Sequence, residues 1–273
     1  MASSTIALVE RPVAVSITAK RTARFDRWFV LGLVIAIGSV ILGISITGIS
    51  PWYFLQPAAA SIVIGGTLGV TLITTPRSAL LHSARRALIF GRPNELDRPA
   101  VIEELMNCAR VRRKSGLLSL KNLAEQAAHP AVREILTLLL DVQDRGELQT
   151  ALETKMRVRE RHDDADARVF ETMGGFAPTI GVLGTVVGLI DVLRQFSQPA
   201  LIAHGIGTAF VSTIYGLALA NLILLPAAGR IRAAAAEAIE TSELMAEGAL
   251  GLLDGVHVAI LRDRLNSYVR AER

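Results

Sequence analysis

The sequence TMGGFAPTIGVLGTVVGLI covers residues 172–190 and contains no Asp, Glu, Lys or Arg. A second uncharged stretch covers residues 195–229, and a third, longer one covers residues 28–76. A soluble domain rarely places about 18 apolar residues in succession, so runs of this length indicate helices that cross a membrane. The composition agrees, because the chain is 51% hydrophobic and only 20% charged. These values argue against one or two soluble domains.

The uncharged runs predict four membrane spans, at residues 28–49, 57–75, 172–194 and 201–228. The first run is interrupted by Gly48-Ile49-Ser50-Pro51, a group of residues that stops a helix. We therefore expect one transmembrane hairpin at 28–75 and a second at 172–228. The basic N-terminal segment precedes an apolar run that is too long for a signal peptide, so we interpret that run as a retained span.

The lysines and arginines predict the orientation of these spans. Of 29 such residues, all except Arg194 lie outside the two hairpins and their short loops. The positive-inside rule places the segments that carry them in the cytoplasm. A membrane protein with both termini in the cytoplasm is therefore predicted. Its cytoplasmic parts are an N-terminal segment (1–27), a helical domain (76–171) and a C-terminal helix (229–273).

The cytoplasmic segments also have helical patterning. Apolar residues recur at intervals of three and four from Val101 to Ala109 and again from Ile135 to Val142. Residues 147–173 contain neither Gly nor Pro, so we expect one helix to run from 147 through the third span to 194. The fourth span should continue in the same way to about Leu253. The predicted fold is all-α, with two of the four transmembrane helices extended into a cytoplasmic helical bundle. Cys108 is expected to be a small buried residue.

Features of an enzyme are missing from the sequence. Asp191 and Arg194 are the only charged residues within the four predicted spans, and a local ion pair at the membrane surface is the simpler interpretation of these two residues. The common nucleotide-binding, metalloprotease and serine-hydrolase motifs do not occur, and the five histidines lack metal-ligand spacing. We therefore predict a protein that is not an enzyme, holds no metal or cofactor, and has the lipid bilayer but no nucleic acid among its partners.

The third and fourth spans contain small and hydroxylated residues instead of charges. Glycines repeat at intervals of three and four, which lets helices approach closely. The candidate ion-pathway residues are Pro178, Thr185, Thr213 and Pro226, because prolines free backbone carbonyls and hydroxyls can line a polar path. Helix packing with hydroxyls bonded within the helix is the alternative. A hydroxyl does not titrate near neutral pH, so an ion pathway here requires a carboxylate from a partner.

Several stretches of the sequence resemble the MotA/TolQ/ExbB superfamily of ion-channel subunits. Residues 177–189 read APTIGVLGTVVGL and residues 209–221 read AFVSTIYGLALAN. Further resemblance to the MotA type lies in IGGTL (64–68), RKSGLL (113–118), ERH (160–162) and GALGLLDG (248–255). TolQ and ExbB relatives typically have three spans, so the extra hairpin favours the MotA branch, whose members are flagellar stator subunits.

The resemblance implies a function and its partners. Five copies of this chain would surround two copies of a MotB-like partner, whose transmembrane helix carries an ion-binding aspartate. Proton or sodium flow would rotate the pentamer, and its cytoplasmic helices would push the rotor protein FliG. Pro178 and Pro226 match the family's functional prolines, and Thr185 and Thr213 match positions that face the ion path. The alternative is a TolQ/ExbB-like energiser of a non-flagellar envelope or secretion machine.

Two residues depart from the family's pattern. The family's torque residues are a basic residue and, eight positions further on, a glutamate. Arg113 fits the first position, but Lys121 occupies the second, so the predicted rotor contact (Arg113, Lys114 and Lys121) is entirely basic. Either the rotor has compensating charges, or this chain drives something other than a flagellum. Thr185 is found in sodium-driven stators and in proton-driven ExbB and TolQ, whereas Gln56 replaces an aspartate of many sodium-type relatives. The coupling ion therefore stays open.

Overall fold

The computed structural model describes residues 27–48, 50–88, 97–142, 144–194 and 199–270. Within these ranges all regular secondary structure is helical, which confirms the predicted all-α class. Nearly all of the N-terminal segment 1–27 and the polar residues 195–198 lie outside the described residues. The helices in chain order are α1 (Arg27–Ile46), α2 (Pro57–Ala60), α3 (Gly66–Thr74), α4 (Arg77–Leu88), α5 (Arg98–Ser115), α6 (Leu120–Gln126), α7 (Pro130–Asp141), α8 (Arg145–Arg194), α9 (Pro199–Ala218), α10 (Leu225–Asp254) and α11 (Val258–Arg270).

Helix α8 is a single helix of 50 residues, as predicted for the chain that enters the third span. A membrane span needs only about 20 residues, so α8 extends well beyond the length of one span. The fourth predicted span also continues, because a π-helical turn at Leu219–Leu224 joins α9 directly to α10. A second π-helical turn, Ser61–Gly65, joins α2 to α3. No pattern in the sequence predicts either π-helical turn.

Three helices of the described chain are long and apolar enough to cross a membrane: Pro51–Thr74, Arg145–Arg194 and Gly205–Asp254. The first predicted span corresponds to α1, whose described apolar stretch, Val30–Ile46, is shorter than the 18 residues that define a candidate span. The predicted helix break after α1 is confirmed, since Gly48 has a φ of 72° and a 3₁₀ turn begins at Pro51. The total of four spans stays a prediction.

The chain divides into two compact units. The apolar unit contains the described residues within 23–95 and 151–242, and the bundle unit contains the described residues within 96–150 and 243–273. The apolar unit leaves many large hydrophobic side chains exposed, among them Ile46, Leu72 and Ile73, which is 85% exposed. Such extended apolar surface is expected where a protein contacts lipid or another subunit.

The bundle unit has a conventional leucine-rich core. The side chains predicted to be buried at Val101, Leu105 and Met106 are each 0% exposed. The other leucines of this unit that are less than 2% exposed are Leu120, Leu136, Leu139, Leu148, Leu244, Leu252, Leu261 and Leu265. Two glycines of α10 permit this packing: a Cβ on Gly248 would lie 2.7 Å from Leu105 Cδ1, and a Cβ on Gly251 would lie 2.4 Å from Leu261 Cδ1.

Cys108 lies in this core and is 2% exposed, which confirms its prediction as a buried residue. Burial, and secondly the nearby Glu104 carboxylate, raise the pKa of the Cys108 thiol to about 11. Both disfavour the thiolate, because an anion loses hydration on burial and is repelled by a second anion. The thiol is therefore chemically inert near neutral pH.

Candidate functional site

Helices α8 and α9 approach each other at backbone distance within the apolar unit. A Cβ added to Gly188 would lie 2.9 Å from Ala209 Cα, and one added to Gly216 would lie 2.6 Å from the Ala177 carbonyl oxygen. Gly181 is equally close, with Ser212 O at 3.0 Å from its ideal Cβ position. The glycine repeat therefore does what its spacing predicts: it removes the side chains that would separate these helices.

The close approach brings Thr185 of α8 and Thr213 of α9 together. Their hydroxyl oxygens are 2.5 Å apart, and both residues are half-buried. Thr185 Oγ1 also lies 3.1 Å from the Ala209 carbonyl oxygen and 3.2 Å from the Gly181 carbonyl oxygen. A hydroxyl has one proton and two lone pairs, so the pair can exchange partners among these oxygens. Carbonyl bonding, the predicted alternative, occurs together with the hydroxyl pairing.

The two candidate prolines interrupt backbone hydrogen bonds in α8 and in α10, which continues α9. Pro178 lies inside α8 and leaves the Gly174 carbonyl without its usual N–H donor. It precedes Thr185 by seven residues, which places both on one face of α8. Pro226 is the second residue of α10 and directly follows the π-helical turn Leu219–Leu224. It has no backbone N–H to donate to the preceding turn, where the Leu225 N–H already bonds the Ala220 carbonyl in the π-helical pattern. Because π-helical turns often occur at functional sites, Pro226 marks a second irregular point.

Tyr215 and Gln56 form a cluster that sequence reasoning did not find. The Tyr215 hydroxyl donates a hydrogen bond to the Phe54 carbonyl oxygen and accepts one, of 3.3 Å, from the Gln56 backbone N–H. The Gln56 side-chain amide donates to the Tyr53 carbonyl oxygen at 3.3 Å. Tyr215 thus fastens α9 to the turn between α1 and α2. No local pattern in the sequence signals this contact, since the bonded groups are about 160 residues apart.

Ion pairs that join α8 to its neighbours were also missed. Asp166 of α8 is 2% exposed and accepts hydrogen bonds from Ser83 Oγ at 3.1 Å and from His82 Nδ1, which lies 2.8 Å from Asp166 Oδ2. Arg232 of α10 pairs with Glu171 of α8, with one nitrogen to oxygen distance of 2.9 Å. These contacts hold α4 and α10 against α8 beyond the end of the apolar stretch.

The predicted rotor-contact residues lie in the bundle unit. Arg113 and Lys114 belong to the last turn of α5, and Lys121 belongs to the first turn of α6. All three side chains are exposed, and within the described ranges none of them forms an ion pair. Gly116 separates them with φ 81° and ψ 176°, a conformation that is essentially restricted to glycine. The chain thus turns at Gly116, between the two basic residues of α5 and Lys121 of α6.

Comparison with known proteins agrees with this geometry. The sequence model of the MotA/TolQ/ExbB proton channel family matches residues 121–243. Motility protein A of Bacillus subtilis is 26% identical over 251 residues, which cover 90% of this chain and 92% of that protein. The uncharacterized protein YtxD of the same organism is 29% identical over 240 residues, which cover 87% and 86% of the two chains.

A solved structure is similar over nearly the same length. The flagellar MotAB stator complex from Bacillus subtilis matches with a TM-score of 0.80 and 26% identity, over 88% of this chain and 94% of the matched chain. The family model, the relatives and this fold agree in their similarity to the MotA/TolQ/ExbB proton channel family. These similarities support a MotA-type stator subunit, because the likeness to motility proteins extends over almost the whole chain.

Proposed function

We propose that this chain forms the ion channel of a flagellar motor stator and converts inward proton or sodium flow into torque. The observation that carries the proposal is the hydroxyl pair of Thr185 and Thr213, 2.5 Å apart between two apolar helices at backbone contact. In the proposed topology α1, α2–α3, α8 and α9–α10 supply four inner-membrane spans, and both termini lie in the cytoplasm. The basic excess outside the apolar runs supports this orientation.

The ion-binding acid comes from a partner. The uncharged runs around the hydroxyl pair contain no Asp or Glu, and a threonine hydroxyl can relay or coordinate an ion but cannot hold a titrating proton near neutral pH. A MotB-like subunit with a transmembrane aspartate supplies the missing group. The similarity to the MotAB stator complex supports this partner. The oxygens at the pair suit either ion, since hydroxyls can relay protons and can also replace the water around Na⁺.

In the proposed cycle, five copies of the chain surround two copies of the partner. Loading and release of an ion at the partner's aspartate turn the pentamer, and Pro178 and Pro226 let the two helices adjust at points where backbone hydrogen bonds are missing. The cytoplasmic residues Arg113, Lys114 and Lys121 then push the rotor protein FliG. A TolQ/ExbB-like role is less favoured, because the nearly full-length matches reported above include a motility protein and a flagellar stator complex.

The Thr185 hydroxyl provides the test. We expect Thr185→Val to reduce ion uptake and swimming by about tenfold or more, because Thr213 then loses a polar partner inside the membrane. Thr185→Ser keeps the hydroxyl and should retain most of the activity. Thr179→Val is the matched control, since Thr179 is exposed on the same helix and bonds only the Phe176 carbonyl of its own turn, at 2.7 Å.

The measurement uses a host that carries only this stator and its partner. Swimming speed is recorded against sodium concentration and against a protonophore, which also identifies the coupling ion. If Thr185→Val and Thr179→Val swim equally well while both stators assemble, the proposed pathway is wrong.

A further inference from the structure

Leu118 is the most exposed large apolar residue described in the bundle unit. Its relative exposure is 79%, and Ile260, at 53%, is the other large apolar residue of that unit that is counted as exposed. Leu120, two residues further on, is 0% exposed and belongs to the core. A leucine left in solvent beside a well-packed core has a cost, because its apolar surface stays hydrated. Single exposed apolar residues are common on protein surfaces, so the inference depends on the turn and the charges that accompany Leu118.

Leu118 is exposed because of the turn in which it lies, and hydrogen bonds hold this turn in place. Gly116 occupies a glycine-specific conformation, and its N–H donates to the Arg112 carbonyl oxygen at 2.8 Å. Ser119 Oγ donates to the Gly116 carbonyl oxygen at 2.6 Å. The first bond ends α5 and the second ties Ser119 back to Gly116 across the 3₁₀ turn Leu117–Ser119, in which Leu117 is half-buried and Leu118 is exposed.

Arg112 fastens this turn to the end of α10. Its guanidinium donates to the Leu253 carbonyl oxygen at 2.6 Å, which supplies a donor to a carbonyl at the C-terminus of a helix. The next residue, Arg113, is exposed. The position of the turn is thus set by α10, the direct continuation of the fourth apolar segment.

The charges around Leu118 in sequence are available to a partner. Arg113, Lys114 and Lys121 make no ion pair within the described ranges. Other cations of the bundle unit are paired with carboxylates of the same unit: Arg145 with Asp254, Arg262 with Glu103, and Arg264 with Glu247. We call Arg113, Lys114, Leu118 and Lys121 the turn surface.

We propose that Leu118 is the apolar anchor of the turn surface and that its partner is an acidic protein surface with a pocket for this leucine. The inference rests on the proposed function and adds a specificity-determining residue to it. Protein interfaces commonly combine a desolvated apolar anchor with a polar rim, and three unpaired cations around one leucine fit a rim of carboxylates. A glutamate at position 121, as in the family's pattern, would require a basic residue on the partner. Lys121 requires an acidic residue there instead.

A membrane surface fits these residues less well. Attraction of about 1 kcal/mol per cation is available at an anionic bilayer, but stable membrane attachment also needs a broad apolar face. The turn surface offers one leucine, and its neighbour Leu117 is half-buried in the bundle. A localised pocket on a protein can enclose a single leucine, whereas a bilayer gains little from it.

The experiment measures binding of purified FliG to the full stator complex, this chain with its MotB-like partner, in nanodiscs at several NaCl concentrations. We expect Leu118→Asn to weaken binding at least tenfold without changing the slope of log Kd against log[NaCl]. Lys121→Glu should reduce that slope, because it removes one cation from the contact. Ile260→Asn is the matched control and should stay within about twofold of the wild type.

Three results would overturn the inference. The first is that Leu118→Asn and Ile260→Asn bind FliG equally well. The second is that Leu118→Asn instead weakens binding to phosphatidylglycerol vesicles relative to phosphatidylcholine vesicles. The third is that Leu118→Asn changes the mass of the complex, which would make a second copy of this chain the occupant. Swimming by the wild-type stator separates the two proposals. If the wild type does not support swimming, the proposed function fails, and if Leu118→Asn swims and binds like the wild type, only this inference fails.

Discussion

Gly255→Ala is expected to destabilise the C-terminal turn of α10 through Arg112. Gly255 has a φ of 70°, and a Cβ added there would lie 2.0 Å from Arg112 Nη1. The Val256 N–H donates to the Gly251 carbonyl oxygen at 3.1 Å, which completes a Schellman-type helix end. The substitution therefore combines two costs: a left-handed backbone for alanine and displacement of the guanidinium from Leu253.

The magnitudes follow from these two contacts. The left-handed conformation costs alanine about 1 kcal/mol, and loss of the charge-assisted bond to Leu253 costs about 2 kcal/mol. Gly255→Ala should then lower the free energy of opening this turn by about 3 kcal/mol, and Arg112→Ala by about 2 kcal/mol. Once Arg112 is absent, alanine has nothing to displace, so the double variant should lose about 3 kcal/mol instead of the additive 5 kcal/mol.

Hydrogen exchange of the Val256 amide, measured on the purified full-length complex, reports this opening. A loss of about 3 kcal/mol corresponds to roughly 100-fold faster exchange, and the alanine step in the Arg112→Ala background should give only about fivefold. Gly48→Ala is a control for backbone strain alone, because Gly48 has a φ of 72° and nothing lies within 4 Å of its ideal Cβ position. Equal effects of Gly255→Ala in both backgrounds would refute the role of Arg112.

Three further predictions concern helix packing, the ionisation of Cys108 and the burial of its thiol. Gly216→Ala should separate α8 from α9, because its Cβ would meet the Ala177 carbonyl oxygen at 2.6 Å, and it should lower the melting temperature of the complex; Gly229→Ala, with nothing within 4 Å, should not. The Cys108 thiol has a pKa of about 11 in the folded protein, whereas the thiol of an unfolded chain ionises near pH 9. The free energy of unfolding should therefore fall as the pH rises from 9 to 11, because only the unfolded state then loses this proton. At pH 7 a thiol reagent should label native Cys108 far more slowly than a Leu118→Cys, Cys108→Ser variant, and rapid labelling of native Cys108 would contradict its burial.

Much of the fold was predictable because it depends on local composition. Uncharged runs, helix-stopping groups and apolar spacing are properties of neighbouring residues, and they predicted the helix break at Gly48, the continuous α8 and the buried face of α5. The π-helical turns were not predictable in this way. Their backbone hydrogen-bond shift depends on how a helix packs, and Pro226 indicates only that some irregularity is near.

The candidate site was predictable in part for the same reason. Hydroxyls and glycines in an apolar run restricted the choice to a few residues, but the sequence left open whether Thr185 and Thr213 face each other or bond only to their own helices. Tyr215 and the Phe54 carbonyl were not predictable at all, because that bond joins residues far apart in the chain.

The sequence by itself determined that this is an all-helical membrane protein with too few charges in its spans to hold an ion alone. Hydrophobicity and missing carboxylates are properties of composition, and no fold can add an acid that the chain lacks. Only the tertiary structure decided which hydroxyls meet, since the 2.5 Å contact between Thr185 and Thr213 exists because glycines let two backbones touch. It also decided that Leu118 is exposed while Leu120 is buried, because the glycine-specific turn at Gly116 sets the direction in which the following residues enter the bundle.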